Sequence, residues 1–137
     1  MLKKIEHIGI AVKDLKQSNE LYAKLLGVKH YKIEFVRSES VKTSFFKIGE
    51  SKIELLQATD SESPIAKFIE KRGEGVHHLA FDVDNIEIEI NRLIKEGFEL
   101  IHKSPKLGAD NKRIAFLQPK SSGGVLIELC QDISNKD

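Results

Sequence analysis

The chain has 137 residues, of which 40% are hydrophobic and 31% charged, a composition typical of a folded globular protein. Its 22 basic and 21 acidic residues give a net charge of +1, which argues against nucleic-acid binding because such binders usually carry a basic excess. No apolar run approaches the roughly 20 residues of a membrane span, and the single cysteine excludes an internal disulfide, so we expect a cytoplasmic protein with no membrane or nucleic-acid partner.

A strand pattern near the N-terminus recurs in the second half of the chain. The segment 7–12, HIGIAV, is matched by the segment 78–83, HLAFDV, and both are short and apolar and begin with histidine. Segments of this kind predict strands, and their similarity is the first sign of an internal repeat.

A helix is predicted after each of these two strands. Asp14 would begin the first helix and Gly27 would end it, and Asp84 and Gly97 hold the same places in the second. Apolar residues recur at helical spacing between these limits, namely Leu15, Leu21, Tyr22, Leu25 and Leu26 in the first helix and Ile86, Ile90, Leu93 and Ile94 in the second. We expect both sets to pack into the core.

Three strands are predicted to complete each half. They cover about 30–37, 42–48 and 52–58 in the first half and about 98–103, 112–118 and 124–131 in the second. The last strands match closely, since IELLQ at 53–57 corresponds to IELCQ at 127–131. The segment 104–112, SPKLGADNK, has no strand pattern and is predicted to be a mobile loop.

Between the halves, Ser63 followed by Pro64 predicts the start of a short helix. The chain is therefore predicted to be a single domain over 1–137. It would contain a first βαβββ repeat at about 4–60, a linker helix at about 63–73, and a second repeat at about 75–131.

Two histidines and two glutamates hold equivalent positions in the repeats: His7 and His78 precede the first strands, and Glu54 and Glu128 lie within the last ones. A single glutamate of this kind is usually a surface residue. On the inner face of a concave sheet, however, an unpaired carboxylate would be costly, and a bound cation removes that cost. If the repeats pack about a pseudo-twofold axis, the four side chains converge. Two nitrogen and two oxygen ligands suit Co²⁺, Mn²⁺, Zn²⁺, Ni²⁺ or Fe²⁺, with open positions for catalysis.

The remaining histidines are interpreted as structural. His77 precedes His78, and strand alternation directs the two side chains to opposite faces. His30 is interpreted in the same way, and His102 lies near a predicted strand end with no counterpart in the first half.

Longer segments resemble a known enzyme family. HIGIAVKDL at 7–15, SPIAKFIEKRGEGVHHLAF at 63–81 and RIAFLQPKSSGGVLIEL at 113–129 resemble the methylmalonyl-CoA epimerase family of the vicinal oxygen chelate superfamily. The resemblance extends from about residue 4 to 131, and HIGIAV alone would indicate only the superfamily.

The resemblance implies an α+β fold, in which two βαβββ repeats pack side by side into an open, curved mixed β-sheet with the helices outside. It also implies one divalent metal ion per chain, with Co²⁺ expected first, held by His7, Glu54, His78 and Glu128. An acyl-CoA thioester substrate and a homodimer are expected on the same basis.

The reaction implied is the interconversion of (R)- and (S)-methylmalonyl-CoA by proton abstraction at C2 through a metal-stabilised enolate. Glu128 is expected to be one base. Some epimerases place a second glutamate on the third strand of the first repeat, where this sequence has Thr43. Symmetry favours Glu54 as the second base, while Glu34, Glu39, a single mobile base or a water on the metal stay open.

The segment 119–124, PKSSGG, is predicted to be a turn between two strands. A plain hairpin loop would explain it. The resemblance places it at the mouth of the active site, where Ser121 or Ser122 could hold the substrate carboxylate and Lys120 could meet a CoA phosphate.

Other functions on this fold stay open. Lactoylglutathione lyase shares the four ligands but needs cationic groups for glutathione, which the sequence does not identify. A non-catalytic small-molecule-binding protein, such as an antibiotic-sequestering one, commonly lacks the ligands that this chain retains. Extradiol dioxygenases prefer an iron site with two histidines and one carboxylate.

Overall fold

A computed structural model describes residues 1–133 as eight strands, three helices and three short 3₁₀ turns. The chain forms two compact units. One extends from His7 to His77, and the other combines Met1–Glu6 with the chain from His78 onward. Among the described residues, none of the helices is long and apolar enough to cross a membrane.

The first repeat has the predicted order of one strand, one helix and three strands, followed by a linking helix. These elements are β1 Leu2–Ala11, α1 Leu15–Leu26, β2 Lys32–Val36, β3 Val41–Ile48, β4 Ser51–Ala58 and α2 Pro64–Arg72. The hydrogen-bonded order is β2-β3-β4-β1, in which β1 and β4 are parallel and the other neighbours are antiparallel.

The second repeat has the same order and the same pairing. Its elements are β5 Gly75–Val83, α3 Ile86–Lys95, β6 Lys106–Gly108, β7 Lys112–Leu117 and β8 Ile127–Asp132. The order is β5-β8-β7-β6, with β5 parallel to β8 and the others antiparallel. The predicted α+β fold of two βαβββ repeats is therefore confirmed.

The ends of α1 follow the predicted capping residues, but both ends of α3 differ. Asp14 Oδ1 accepts a hydrogen bond from Gln17 N (3.1 Å), and Gly27 ends α1 with a φ of 76°. The prediction that Asp84 caps α3 is wrong, because the cap is Asn85, whose Oδ1 accepts from Ile88 N (3.1 Å). Both residue types cap well, so their adjacency hid the true start of α3. The C-cap of α3 is Glu96 rather than the predicted Gly97, which follows with a φ of 99°.

Three predictions about strands and loops are corrected. Residues 98–103 form no strand and contribute only an isolated bridge between Leu100 and Leu117. The strand beside β7 is β6, which lies in the segment predicted to be a loop. Its last residue, Gly108, lies so close to Ile114 that an added Cβ would come within 2.7 Å of Ile114 Cδ1. The first repeat's β2 is also shorter than predicted, because a 3₁₀ turn over Arg37–Glu39 follows it.

The helix stripes are partly as predicted. Leu15 is buried and Leu26 half-buried, but Leu21 and Leu25 are 62% and 70% exposed. The other buried residue of α1 is Asn19, which is not among the predicted core residues. Its Oδ1 accepts a hydrogen bond from Ser44 Oγ (2.6 Å). In α3 the buried residues are Ile86, Ile90 and Leu93, as predicted, whereas Ile94 is exposed.

In each repeat, the side of the sheet that faces the helix is apolar. Under α1 the core contains Val12, Leu15, Phe46 and Leu55. Under α3 it contains Val83, Ile86, Ile90, Leu93, Ala115, Leu117 and Leu129. Because Leu55 and Leu129 face the helices, alternation directs the preceding residues, Glu54 and Glu128, to the other face of each sheet.

Candidate active site

The first candidate ligand pair joins the two parallel strands β1 and β4. His7 Nδ1 lies 3.2 Å from Glu54 Oε2, and their side chains are only 6% and 5% exposed. The register places Gly9 opposite Glu54, so no side chain at that position separates the carboxylate from β1. The fold of the first repeat thus brings together a histidine and a glutamate that are 47 positions apart in the sequence.

The second candidate pair joins the equivalent strands β5 and β8. His78 Nε2 lies 2.9 Å from Glu128 Oε1, and both side chains are 6% exposed. Glu128 Oε2 accepts a hydrogen bond from the thiol of buried Cys130, with an S···O distance of 3.6 Å. In each repeat, the fold therefore brings the predicted ligand histidine into contact with the predicted ligand glutamate.

Each pair has a phenylalanine as its neighbour on the next strand. Phe45 lies opposite Glu54 in register, and Phe116 lies opposite Glu128. The Phe116 ring meets the ring of His78 edge-on at 5.7 Å. These aromatic side chains shield the polar pairs from water, which strengthens electrostatic interactions there.

The donor chemistry of the pairs fits a metal ion. A buried carboxylate needs hydrogen-bond donors or a cation to offset its loss of hydration. Within residues 1–133, no buried side-chain nitrogen or oxygen lacks a hydrogen-bond partner. Each repeat offers one imidazole nitrogen and one carboxylate oxygen at a buried position. These ligands are the ones that divalent ions such as Co²⁺ and Zn²⁺ accept in proteins.

Lys52 is a neighbour of the first pair that the sequence analysis did not single out. Its side chain is 7% exposed, and its Nζ lies 4.0 Å from Glu54 Oε2 and 5.7 Å from the centre of the Phe45 ring. Strand alternation from Glu54 would have placed it on the same face. The residue two positions before Glu128 in the second repeat is Leu126.

The histidines interpreted as structural have other surroundings. The ring of His77 meets Phe68 of α2 edge-on at 5.0 Å, while the adjacent His78 pairs with Glu128. The ring of His30 lies 5.9 Å from that of Phe46, and His102 is exposed in the loop before β6.

Residues 119–122, which include the predicted substrate contacts, form a 3₁₀ turn. Ser121 Oγ donates to the Gln118 carbonyl (2.8 Å), and Ser122 Oγ donates to the Val125 carbonyl (2.7 Å). Lys120 is 77% exposed and lies 3.6 Å from Glu99. The hydroxyl groups thus order their own turn, and contact of these residues with substrate stays a prediction.

Two alternative bases differ in their placement. Glu34 lies opposite Thr43 in the β2–β3 register, and Thr43 lies opposite Leu56 of β4, so Glu34 shares a sheet face with Glu54. Its carboxylate lies 3.5 Å from Lys32 Nζ. Glu39 lies in the 3₁₀ turn after β2 and is half-buried.

Two ionised groups outside these pairs have shifted pKa values. Hydrogen bonds from the Met1 amino group and from Arg92 lower the pKa of Glu89 on α3, against the opposing effect of burial. The hydrogen bonds from Arg113 to Glu87 raise the pKa of the arginine. Both groups belong to the second unit, away from its His–Glu pair in sequence, so we assign their effects to stability.

Comparison with known proteins identifies the family of the chain and its relatives. Residues 6–116 match the family described as the glyoxalase/bleomycin resistance protein/dioxygenase superfamily. The chain is similar to the human mitochondrial methylmalonyl-CoA epimerase, with 36% identity over 131 residues that cover 95% of this chain and 74% of the relative.

Two further similarities extend over nearly whole chains. An ethylmalonyl-CoA/methylmalonyl-CoA epimerase of Cereibacter sphaeroides is 35% identical over 133 residues, which cover 96% of this chain and 99% of the relative. A variant of Streptomyces coelicolor methylmalonyl-CoA epimerase, solved with 2-nitronate-propionyl-CoA, has a TM-score of 0.92 and 33% identity. That match covers 96% of this chain and 99% of the solved one.

Proposed function

The chain belongs to the methylmalonyl-CoA epimerase family of the glyoxalase/bleomycin resistance/dioxygenase superfamily, and we propose that it interconverts (R)- and (S)-methylmalonyl-CoA. The observation that carries this proposal is the pair of buried His–Glu contacts at equivalent positions of the two repeats. Relatives named as epimerases match almost the full chain, including both repeats.

We propose that His7, Glu54, His78 and Glu128 together hold one divalent metal ion. The family and the donor chemistry favour such an ion. Co²⁺ is expected, and Mn²⁺, Zn²⁺, Ni²⁺ and Fe²⁺ accept the same ligand types. When bound, the ion would act as a Lewis acid on the substrate oxygens and so lower the energy of the enolate.

In this proposal, two carboxylates of the chain transfer the protons. In one direction, Glu128 would accept the C2 proton from one face of the substrate, leaving a planar enolate. Glu54, in its protonated form, would then donate a proton to C2 from the opposite face. The two carboxyl groups exchange protonation states in the process, so the enzyme is ready for the reverse reaction and no proton is gained or lost.

The assignment of Glu54 rests on symmetry with Glu128. Glu34 is the main alternative, because it shares the sheet face of Glu54. Glu39 is the other, since the turn that holds it directly follows β2. Each of the three can be substituted separately, which makes the assignment testable.

The substrate is proposed to be an acyl-CoA thioester. The Cereibacter sphaeroides relative is named for both ethylmalonyl-CoA and methylmalonyl-CoA, so the size of the C2 substituent is a variable to test. Lys120, Ser121 and Ser122 stay the proposed contacts for the substrate. A homodimer and a cytoplasmic location stay predictions.

The test is proton exchange at C2. The protein is stripped with a chelator, reloaded with Co²⁺, and incubated with methylmalonyl-CoA in D₂O, while deuterium incorporation and stereochemistry are followed. We expect metal-dependent exchange with epimerisation. Absence of exchange in the loaded protein would contradict the proposal, and turnover of a glutathione hemithioacetal instead would favour a lactoylglutathione lyase.

A matched pair of variants tests the metal site. His78→Ala is expected to weaken Co²⁺ binding by at least about 10-fold, as loss of a metal ligand generally does. His102→Ala is the control, because His102 is exposed and outside the proposed site. Equal Co²⁺ affinities in the two variants, measured by calorimetry, would exclude His78 as a ligand.

A further inference from the structure

Lys52 has a buried ammonium group to which the proposed reaction assigns no role. We propose that it binds the free carboxylate of the substrate's acyl group and is therefore the residue that selects malonyl-type thioesters over simple acyl-CoA. This inference rests on the proposed function, since it names the substrate group recognised at the same site.

The surroundings of Lys52 point to a charge-recognition role. Lysine is almost never fully buried in proteins without a paired anion. Its Nζ lies 4.0 Å from Glu54 Oε2, which is within ion-pair distance. The Phe45 ring, 5.7 Å away, provides a second favourable contact for the cation. This placement keeps the ammonium beside a proposed metal ligand.

Lys52 is no more shielded than the residues proposed to reach the metal. Its side chain is 7% exposed, against 6% and 5% for His7 and Glu54. With the Glu54 carboxylate engaged on a divalent ion, the ammonium of Lys52 would face additional positive charge. An anionic substrate group beside it is then favoured electrostatically.

The two repeats differ at this position in a way that matches the substrate. Leu126 is the equivalent of Lys52 in the second repeat, so only one of the two His–Glu pairs has an ammonium group at this place. Methylmalonyl-CoA is itself asymmetric, because C2 lies between a neutral thioester and a carboxylate. A single lysine would hold the carboxylate end of the substrate at the first repeat.

The experiment compares two ligands that differ only by the carboxylate at C2. Calorimetric titrations of the Co²⁺-loaded protein use malonyl-CoA, which has the carboxylate, and acetyl-CoA, which lacks it. Lys52→Met is expected to weaken malonyl-CoA binding about 10- to 100-fold, the range for a lost charge-assisted hydrogen bond, and to leave acetyl-CoA binding unchanged. The KM for methylmalonyl-CoA should rise by a similar factor, with a smaller change in kcat.

Two further variants separate recognition from structure. Lys47→Met is the matched control, because Lys47 lies opposite Lys52 in the β3–β4 register but is exposed. It should bind both ligands as the unmodified protein does. Lys52→Arg should restore part of the preference for malonyl-CoA, and Lys52→Gln, which keeps a polar side chain of similar length, should not.

The outcomes distinguish this inference from the proposed function. Epimerisation by the unmodified protein, with the malonyl-CoA preference retained in Lys52→Met and Lys52→Gln, would overturn only the role of Lys52. A Lys52-dependent preference without epimerisation would overturn only the proposed reaction. Equal weakening of both ligands, or loss of Co²⁺ affinity with the preference unchanged, would show that Lys52 is structural and overturn the inference.

Discussion

In both repeats, a hydrogen bond from the first backbone N–H of the helix to a glutamine side chain of the sheet holds the helix in place. In the first repeat Gln57 Oε1 accepts a hydrogen bond from Leu15 N (2.6 Å), and in the second Gln131 Oε1 accepts one from Ile86 N (2.9 Å). Each glutamine lies three residues after a candidate ligand glutamate. The same short segment therefore anchors the helix on one face of the sheet and presents the carboxylate on the other.

The repeats differ in what surrounds that carboxylate. Glu54 has Lys52 at 4.0 Å, whereas Glu128 has the thiol of Cys130 at 3.6 Å and Leu126 at the position equivalent to Lys52. The scaffold and the candidate ligands are thus duplicated, but the charge beside them is not. This difference in charge suits the proposed substrate, whose C2 has a carboxylate on one side and a thioester on the other.

Substitution of Glu128 tests the strongest functional claim for the second repeat. Glu128→Gln keeps an oxygen that can bind a metal but removes the base, so C2 exchange should fall by about 10²- to 10⁴-fold. Deuterium incorporation is the measurement, and circular dichroism with a Co²⁺ titration is the control for fold and metal binding. Normal turnover would show that Glu128 is not the base.

Substitution of Glu54 tests whether the first repeat has the complementary role. Glu54→Gln should reduce epimerisation by about 10²-fold, while one-sided deuterium exchange through Glu128 continues. The ratio of exchange to epimerisation, measured in D₂O, is the diagnostic quantity.

Glu34→Gln and Glu39→Gln are the matched substitutions. If Glu54→Gln epimerises normally and one of these two does not, the second base is reassigned to that residue. If all three retain epimerisation, a single mobile base or a water molecule becomes the better explanation.

The helix anchors test whether the repeats are equivalent structurally. Gln57→Ala and Gln131→Ala each leave a partly buried helix N–H without its acceptor, which should lower the free energy of unfolding by about 1–2 kcal/mol. Urea denaturation measures the loss. Similar values for the two variants are expected, and a large difference would show that one anchor is dispensable.

Patterns that repeat were predictable from the sequence. Alternation around Ile53 and Leu55 placed Glu54 on the face away from α1, and the same pattern placed Glu128. Histidine alternation separated His77, which meets Phe68, from His78, which meets Glu128. Such inferences succeed because strand geometry has a strict period of two.

Features without a period were not predictable. The edge strand β6 has three residues, follows Pro105 and ends in Gly108, so its sequence resembles that of a loop. Gly108 permits close approach of this strand to the side chain of Ile114. Lys52 was overlooked because lysine on a strand is usually solvated, and only its burial beside Glu54 distinguishes it.

The smallest predicted effect concerns Glu89, a buried charged residue on α3. Hydrogen bonds from the Met1 amino group and Arg92 lower its pKa, so it stabilises the fold above the ordinary carboxyl pKa of about 4.3, and this stabilisation is lost as the pH falls through the lowered value. Because both partners are largely exposed, Glu89→Gln should lower the free energy of unfolding by only about 1 kcal/mol at pH 7.

The pH dependence separates this electrostatic effect from a packing effect. Thermal unfolding between pH 3 and pH 7 should show the Glu89→Gln deficit shrinking as the buffer becomes more acidic, because the protonated glutamate then resembles glutamine. Glu87→Gln is the control from the same helix, and its pair with Arg113 is exposed enough that less than about 0.5 kcal/mol should be lost. A Glu89→Gln deficit that stays constant with pH would mean that side-chain packing, and not the carboxylate charge, stabilises the start of α3.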